Sequence, residues 1–171
     1  MSKIVNQAAH TDNDKINALR DAFGHRAMWL YFLVNEMRKA GVKDWKDIAY
    51  RATFRCGCFQ GEGFKELIDG EDLSAFETEF AEPNGNGRKI FEMEEVHKDS
   101  EHYYLDFHYC PLVEAWQKLG CTDEEIDVLC DIAMNGDRGI ASVFDDFVFT
   151  LGRTIAQGHS CCEIRFDKKK G

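Results

Sequence analysis

Apolar residues recur along the first part of the chain at steps of three and four. Ile16, Leu19, Phe23, Ala27, Leu30, Val34 and Met37 fall on one face of a helix running from about Asp14 to Ala40, the spacing that a 3.6-residue turn demands. Thr11 to Asp14 offer capping side chains, Gly41 offers a stop, and His25 lies off the stripe near Trp29. A second helix is predicted from Asp44 to Leu67, with Trp45, Ile48, Ala49, Ala52, Cys56 and Phe59 as its stripe and Cys58 on a flank. Gly57 and Gly61 lie four apart on it and allow another element close to the backbone, while Gly61-Glu62-Gly63 offers a place for a break. A shorter helix is expected from Asp72 to Ala81, and Pro83-Asn84-Gly85-Asn86-Gly87 reads as a turn.

The period then changes to two. Lys89 to Val96 and His102 to Tyr109 read as an antiparallel hairpin joined by His97-Lys98-Asp99-Ser100-Glu101. Tyr103, Leu105, Phe107 and Tyr109 share one face of the second strand. Tyr104, Asp106 and His108 share the other, with Cys110 if extended geometry reaches it. Proline is favoured at the first helical position, so Pro111 places Cys110 at the N-cap of a short helix ended by Gly120. Backbone N–H groups and the helix dipole there favour thiolate.

Thr122-Asp123-Glu124-Glu125 is a capping box that opens the next helix, which carries Cys130. Asn135-Gly136 is expected to break it, and Asp137 to cap a further long helix with Ile140, Phe144, Phe147, Val148, Leu151 and Ile155 buried. Gly158 ends that helix. Cys161 to Phe166 closes the chain as a strand with Cys162, Ile164 and Phe166 inward. Helices, hairpin, helices, strand: the order predicts an α+β fold, a helical layer packed on a small antiparallel sheet. One domain spanning 1–171 is expected, with 1–13 and 167–171 as flexible termini.

Charge narrows the partners. A formal net charge of -10 argues against nucleic acid and anionic membrane, and Lys168-Lys169-Lys170 reads as a solvated tail. No apolar run approaches the ~20 residues of a membrane span. The stretch MSKIVNQAAHTDND lacks the apolar centre of a signal peptide, which points to the cytoplasm. Seven cysteines, an odd number, do not suggest a disulfide framework in a reducing compartment.

Three readings of the chemistry stay open. In the first, the cysteines are buried small hydrophobes, and Asp106 and His108 decorate a solvated face. In the second, His108, Cys110, Cys130 and Cys162 hold one transition metal ion (zinc, iron or manganese), although His108-x-Cys110 is the sole local pair. In the third, Cys110 is a nucleophile with His108 as base and Asp106 behind it. Asp137, two helical turns after Cys130, is placed to line the same pocket, and Tyr104, Trp116 and Phe144 to form its apolar wall.

Cys110-Pro111, Leu119-Gly120, Cys130, and Gly158 with Cys162 together resemble the family of the L-2-amino-thiazoline-4-carboxylic acid hydrolases. The resemblance covers the C-terminal third to half of the chain; the N-terminal half matches only in helical pattern. More loosely, the order of elements and the closing Gly-x-x-x-Cys strand are similar to vinyl-reductase-type ligand-binding domains. The family resemblance implies hydrolytic opening of a small cyclic amidine C–N bond, with water added at the carbon between sulfur and nitrogen. A small-molecule substrate bearing a carboxylate would want a local positive group, Arg138 or Arg165. The competing classes are a non-enzymatic binding module and an iron–sulfur or redox protein on Cys110, Cys130 and Cys162. Homo-oligomerisation is left open.

Overall fold

Two long helices meet backbone to backbone, and glycine makes the contact. They are α2 (Trp45–Leu67) and α6 (Asp123–Ser142) in a computed structural model that describes residues 2–68, 72–82 and 85–169. A Cβ added at Gly57 would lie 1.9 Å from the Gly136 carbonyl oxygen, and one at Gly139 would lie 2.2 Å from the Phe54 carbonyl oxygen. Thr53 and Asn135 seal the crossing, donating to the carbonyls of Ile132 at 2.8 Å and Tyr50 at 2.9 Å. Gly136 therefore does not break a helix, as the sequence suggests; it lies inside α6, as does Asp137, and serves close packing. The helix runs unbroken through Gly61-Glu62-Gly63, where the sequence offers a place for a break, and Gly61 packs against Ile140 and Val143. The predicted stripe of α2 is corrected too. Ala49, Gly57 and Gly61 are buried, whereas Ala52 and Cys56 are exposed and Phe59 is 86% exposed.

Helix α1 (Asp14–Lys39) follows its sequence pattern: Asn13 caps it by accepting from the Ile16 N–H, and Ile16, Ala27 and Val34 are buried. Gly41, at φ 74°, takes the left-handed turn beyond its end. Against α1 lies α5 (Pro111–Lys118), where Trp116 is fully buried and donates its indole N–H to the Ala27 carbonyl at 3.0 Å. The capping box of α6 forms in both directions between Thr122 and Glu125.

The sheet has four antiparallel strands in the order β1-β2-β4-β3: β1 Met93–Lys98, β2 His102–Phe107, β3 Phe147–Leu151 and β4 Cys162–Lys168. Two expectations change here. Residues before Met93 form a short helix, α4 (Gly87–Phe91), not strand, and Glu92 turns the chain at φ 49°. The helix predicted from Asp137 to Gly158 is instead the end of α6, then β3, then a 3-10 turn at Ile155–Gln157. Phe144, Phe147, Val148 and Leu151 satisfy a helical step by coincidence. The run Phe-Val-Phe-Thr-Leu is aromatic and β-branched, and it pairs with β4 while alternating buried Phe147 with exposed Val148.

Helix α3 (Leu73–Ala81) drops Phe76 into the core between helices and sheet, in ring contact with Phe80, Phe144, Phe147 and Phe166. The α+β expectation stands. Residues near both termini make defined contacts. Ser2 and Lys3 are tied to Asp123, Asn6 to Cys110, and Ala9 and His10 to Glu92, while Asp167 and Lys168 belong to β4. Pro83 and Asn84 of the predicted turn and Lys170 of the basic run lie outside the described residues.

Candidate functional site

The strand parity of β2 ends at Phe107, and this sends Cys110 away from the line the sequence suggests. His108 and Tyr109 donate their N–H groups to the carbonyls of Glu92 and Phe91, which turns the chain toward α5. Asp106 stays on the sheet's outer face, bound by Arg165 at 2.6 Å and by the Cys161 thiol at 3.6 Å. His108 is exposed, with Nε2 2.9 Å from Glu94 Oε2. Cys110 is partly buried at the N-cap of α5, and Asn6 clamps its backbone: Oδ1 accepts from the Cys110 N–H and Nδ2 donates to its carbonyl, both at 2.9 Å. The Asp106–His108–Cys110 line is thus divided between two surroundings.

What gathers around Cys110 comes from other elements. Cys130 of α6 and Cys162 at the start of β4 are buried, and the three thiols are near enough to raise one another's cost of ionisation. Asp137, seven residues after Cys130 on α6, and Arg26 of α1 both act electrostatically on Cys110. Cys162 Sγ also accepts the Ile155 N–H at 3.3 Å.

Burial decides the protonation states. It pushes the Cys110 thiol up, against the opposing pull of the Val113 and Leu112 N–H groups and of Arg26. The N-cap placement of Cys110 is as the sequence predicts, but a resting low-pKa thiolate is not: desolvation exceeds the helix-end effect. Burial raises Cys130 far above the ordinary thiol range and Cys162 strongly as well, with neighbouring sulfurs adding to it. Asp137 is pushed up to about 6, again by burial, with Arg26 working against it. Asp137 and Cys110 are both partly buried.

The other expected residues lie elsewhere. Tyr104 points outward, its hydroxyl donating to Asp167 at 2.7 Å, while Trp116 and Phe144 are packed in the core and do not line an open cavity. Arg138 is bound to Asp131, and Arg165 to Asp106. A metal centre built on His108, Cys110, Cys130 and Cys162 does not fit, since His108 faces Glu94. Among the described residues, the three-ligand group with donor atoms within 4.8 Å of one another is His97, Asp99 and His102 instead. Of the remaining cysteines, Cys56 is exposed, Cys121 is half-buried, and Cys58 sits 3.6 Å from the Ser142 hydroxyl.

Arg26 and Asn6 are absent from the sequence reading. Arg26 had a signal: it borders the apolar stripe of α1 and lies over the Phe23 ring at 4.6 Å. Asn6 had none, being one polar residue in a polar leader.

Helices laid on a four-stranded antiparallel sheet define the class: an α+β protein, in which thiols from three separate elements lie within electrostatic reach of one another. The chain belongs to the L-2-amino-thiazoline-4-carboxylic acid hydrolase family, whose model matches residues 20–166. That span contains Arg26, Cys110, Cys130, Asp137 and Cys162, and Asn6 lies before it. Among solved structures, the fold is similar to a trafficking protein particle complex subunit 3 from Naegleria fowleri, crystallised covalently bound to palmitic acid. The two are 15% identical with a TM-score of 0.56, covering 88% of this chain and 97% of that one, a likeness of fold alone. No curated protein matches the chain significantly. Among the described residues, no helix is long and apolar enough to cross a membrane.

Proposed function

We propose that this chain hydrolyses a small cyclic amidine of the 2-amino-thiazoline-4-carboxylate type, with Cys110 as nucleophile and Asp137 as its proton acceptor. The observation that carries the reading is a helix-cap thiol within electrostatic reach of a carboxyl whose pKa, pushed up to about 6, lies near neutrality. A resting thiol with a raised pKa is not reactive by itself. Asp137 supplies what it lacks, because a carboxylate that resists ionisation is a stronger base than an ordinary one.

Asp137 takes the Cys110 proton through one intervening water as Sγ bonds to the amidine carbon, and the C=N electron pair moves to the ring nitrogen. Asp137 returns the proton to that nitrogen; the exocyclic amino group then forms a C=N bond as the ring C–N bond breaks, and one of its protons passes to the ring nitrogen, which leaves as a primary amine. Water then adds to the same carbon and the C–Sγ bond breaks, restoring the Cys110 thiol. The Leu112 and Val113 N–H groups stabilise negative charge on sulfur at each passage, and Arg26 is the cation for a substrate carboxylate. Cys130 and Cys162 keep the surroundings dry.

The test is the pH dependence of kcat/KM for ring opening. Its acidic limb should fall near pH 6 in the parent, and Asp137→Asn should lower kcat/KM by about 100-fold or more. A profile flat through that range, with Asp137→Asn fully active, would remove the carboxyl from the reaction.

A second reading, a non-enzymatic acyl carrier, is favoured by one fact: the structurally similar subunit was crystallised covalently bound to palmitic acid. Its signature would be a mass gain of one acyl chain on a cysteine of the purified protein, with no ring-opening activity.

A further inference from the structure

The tip of the β1–β2 hairpin carries three metal-ligating side chains brought together by an irregularity in the strand. In β1–β2, Glu95 pairs with Leu105 but His97 pairs with Tyr104, so Val96 is an extra residue and the register shifts. In a regular ladder His97 would stand opposite Tyr103 and share its inward face. The bulge puts it opposite Tyr104, on the outer face that also carries His102. Bulges commonly re-aim a side chain in this way.

The carboxylate between the two rings is held by backbone. Asp99 Oδ1 accepts the N–H groups of Glu101 and His102, each at 2.8 Å, and the Asp99 N–H donates to the His102 carbonyl at 3.0 Å. The carboxylate faces both imidazoles: Oδ2 lies 2.8 Å from His97 Nε2, and His102 Nδ1 lies 3.0 Å from Oδ1 and 3.2 Å from Oδ2. The far nitrogen of His102 lies 3.9 Å from Asp167 Oδ1, which also accepts the Tyr104 hydroxyl at 2.7 Å. A carboxylate behind a histidine is the usual means of orienting a ligating imidazole.

We infer that His97, Asp99 and His102 form a surface site for one borderline first-row divalent cation, of the Zn²⁺ or Co²⁺ kind. Two imidazoles and one carboxylate suit such ions, whereas Mg²⁺ and Ca²⁺ require mainly oxygen. The ion sits between the two rings and Asp99, with water completing its shell at the exposed tip. Binding there pins the two ends of the hairpin loop to one another. This site is independent of the thiol chemistry.

The test titrates Co²⁺ and Zn²⁺ into the full metal-free chain in a non-chelating reductant, by calorimetry and, for Co²⁺, visible absorption. One ion per chain should bind, without the intense near-ultraviolet band that cobalt–thiolate bonds give. His97→Ala and His102→Ala should each weaken it by about tenfold or more, Mg²⁺ should not compete, and Cys110→Ser should bind normally. Because His97 is exposed and His102 half-exposed, circular dichroism of each variant should match the parent. Absence of saturable binding, a thiolate band, or undiminished binding in both histidine variants overturns the inference.

Discussion

At the scale of single residues, the proposed chemistry turns on a carboxyl that folding makes harder to ionise. The Asp137 pKa rises from 3.8 to about 6, so between those values the folded chain holds a proton that the unfolded chain has released. Stability therefore falls as pH rises through that window, and the full penalty is present above it. Converting the rise gives up to about 3 kcal/mol at pH 7. Asp137→Asn should accordingly raise stability at pH 7 to 8 in chemical denaturation, with the gain fading as the pH is lowered toward 4; a variant less stable at pH 7 would show that the carboxylate is well solvated. A stabilised but inactive Asp137→Asn variant is what a site that sacrifices stability for reactivity should give. The sequence offered Asp137 as a pocket residue by its seven-residue distance from Cys130, even though it misassigned it as a cap. Arg26 and Asn6 reach Cys110 through tertiary packing, which the local pattern does not encode.

At the scale of elements, the α2–α6 crossing fixes where Cys130 and Asp137 stand, since both ride on α6. Gly57→Ala places a methyl 1.9 Å from the Gly136 carbonyl oxygen, backbone that cannot move without separating the helices. A loss of about 3 kcal/mol or more is expected. Gly63→Ala, in the same helix with nothing within 4 Å of the added Cβ, should be neutral or gain up to about 1 kcal/mol from helix propensity. Equal melting temperatures for the two would mean the crossing is looser than described. The spacing of Gly57 and Gly61 announced close packing in the sequence, whereas Gly136 read as a breaker and Gly139 gave no signal. Their role depends on a partner more than 70 positions away. The β3 error has a similar origin: the apolar residues from Ile140 to Leu151 fit two periods, and pairing with β4 selects the strand. Where a single period and its caps agree, as in α1 and in the Thr122–Glu125 box, sequence and structure coincide.

At the scale of the whole molecule, the leader from Ser2 to His10 joins parts that the chain order keeps apart. It contacts Asp123 at the start of α6, Cys110 at the corner before α5, and Glu92 before β1. Glu92 is in turn paired with the buried Arg20 of α1 at 3.0 Å. Asn6→Ala removes both clamps on Cys110 and should cost about 1–3 kcal/mol. If the leader positions the nucleophile, kcat should fall further than the melting shift explains, with KM little changed. A kcat equal to the parent's in the folded variant would reduce the leader to packing.

The central claim, that Cys110 carries the ring-opening chemistry, is tested most directly by turnover of L-2-amino-thiazoline-4-carboxylate by the parent and by Cys110→Ser. Thermal unfolding should be recorded on the same samples, because a buried hydroxyl without a partner costs about 1–3 kcal/mol. The parent is expected to open the ring, and Cys110→Ser, still folded, to do so at least about 100-fold more slowly. Undiminished turnover by a folded Cys110→Ser protein would contradict the claim, as would a folded parent that leaves the ring intact.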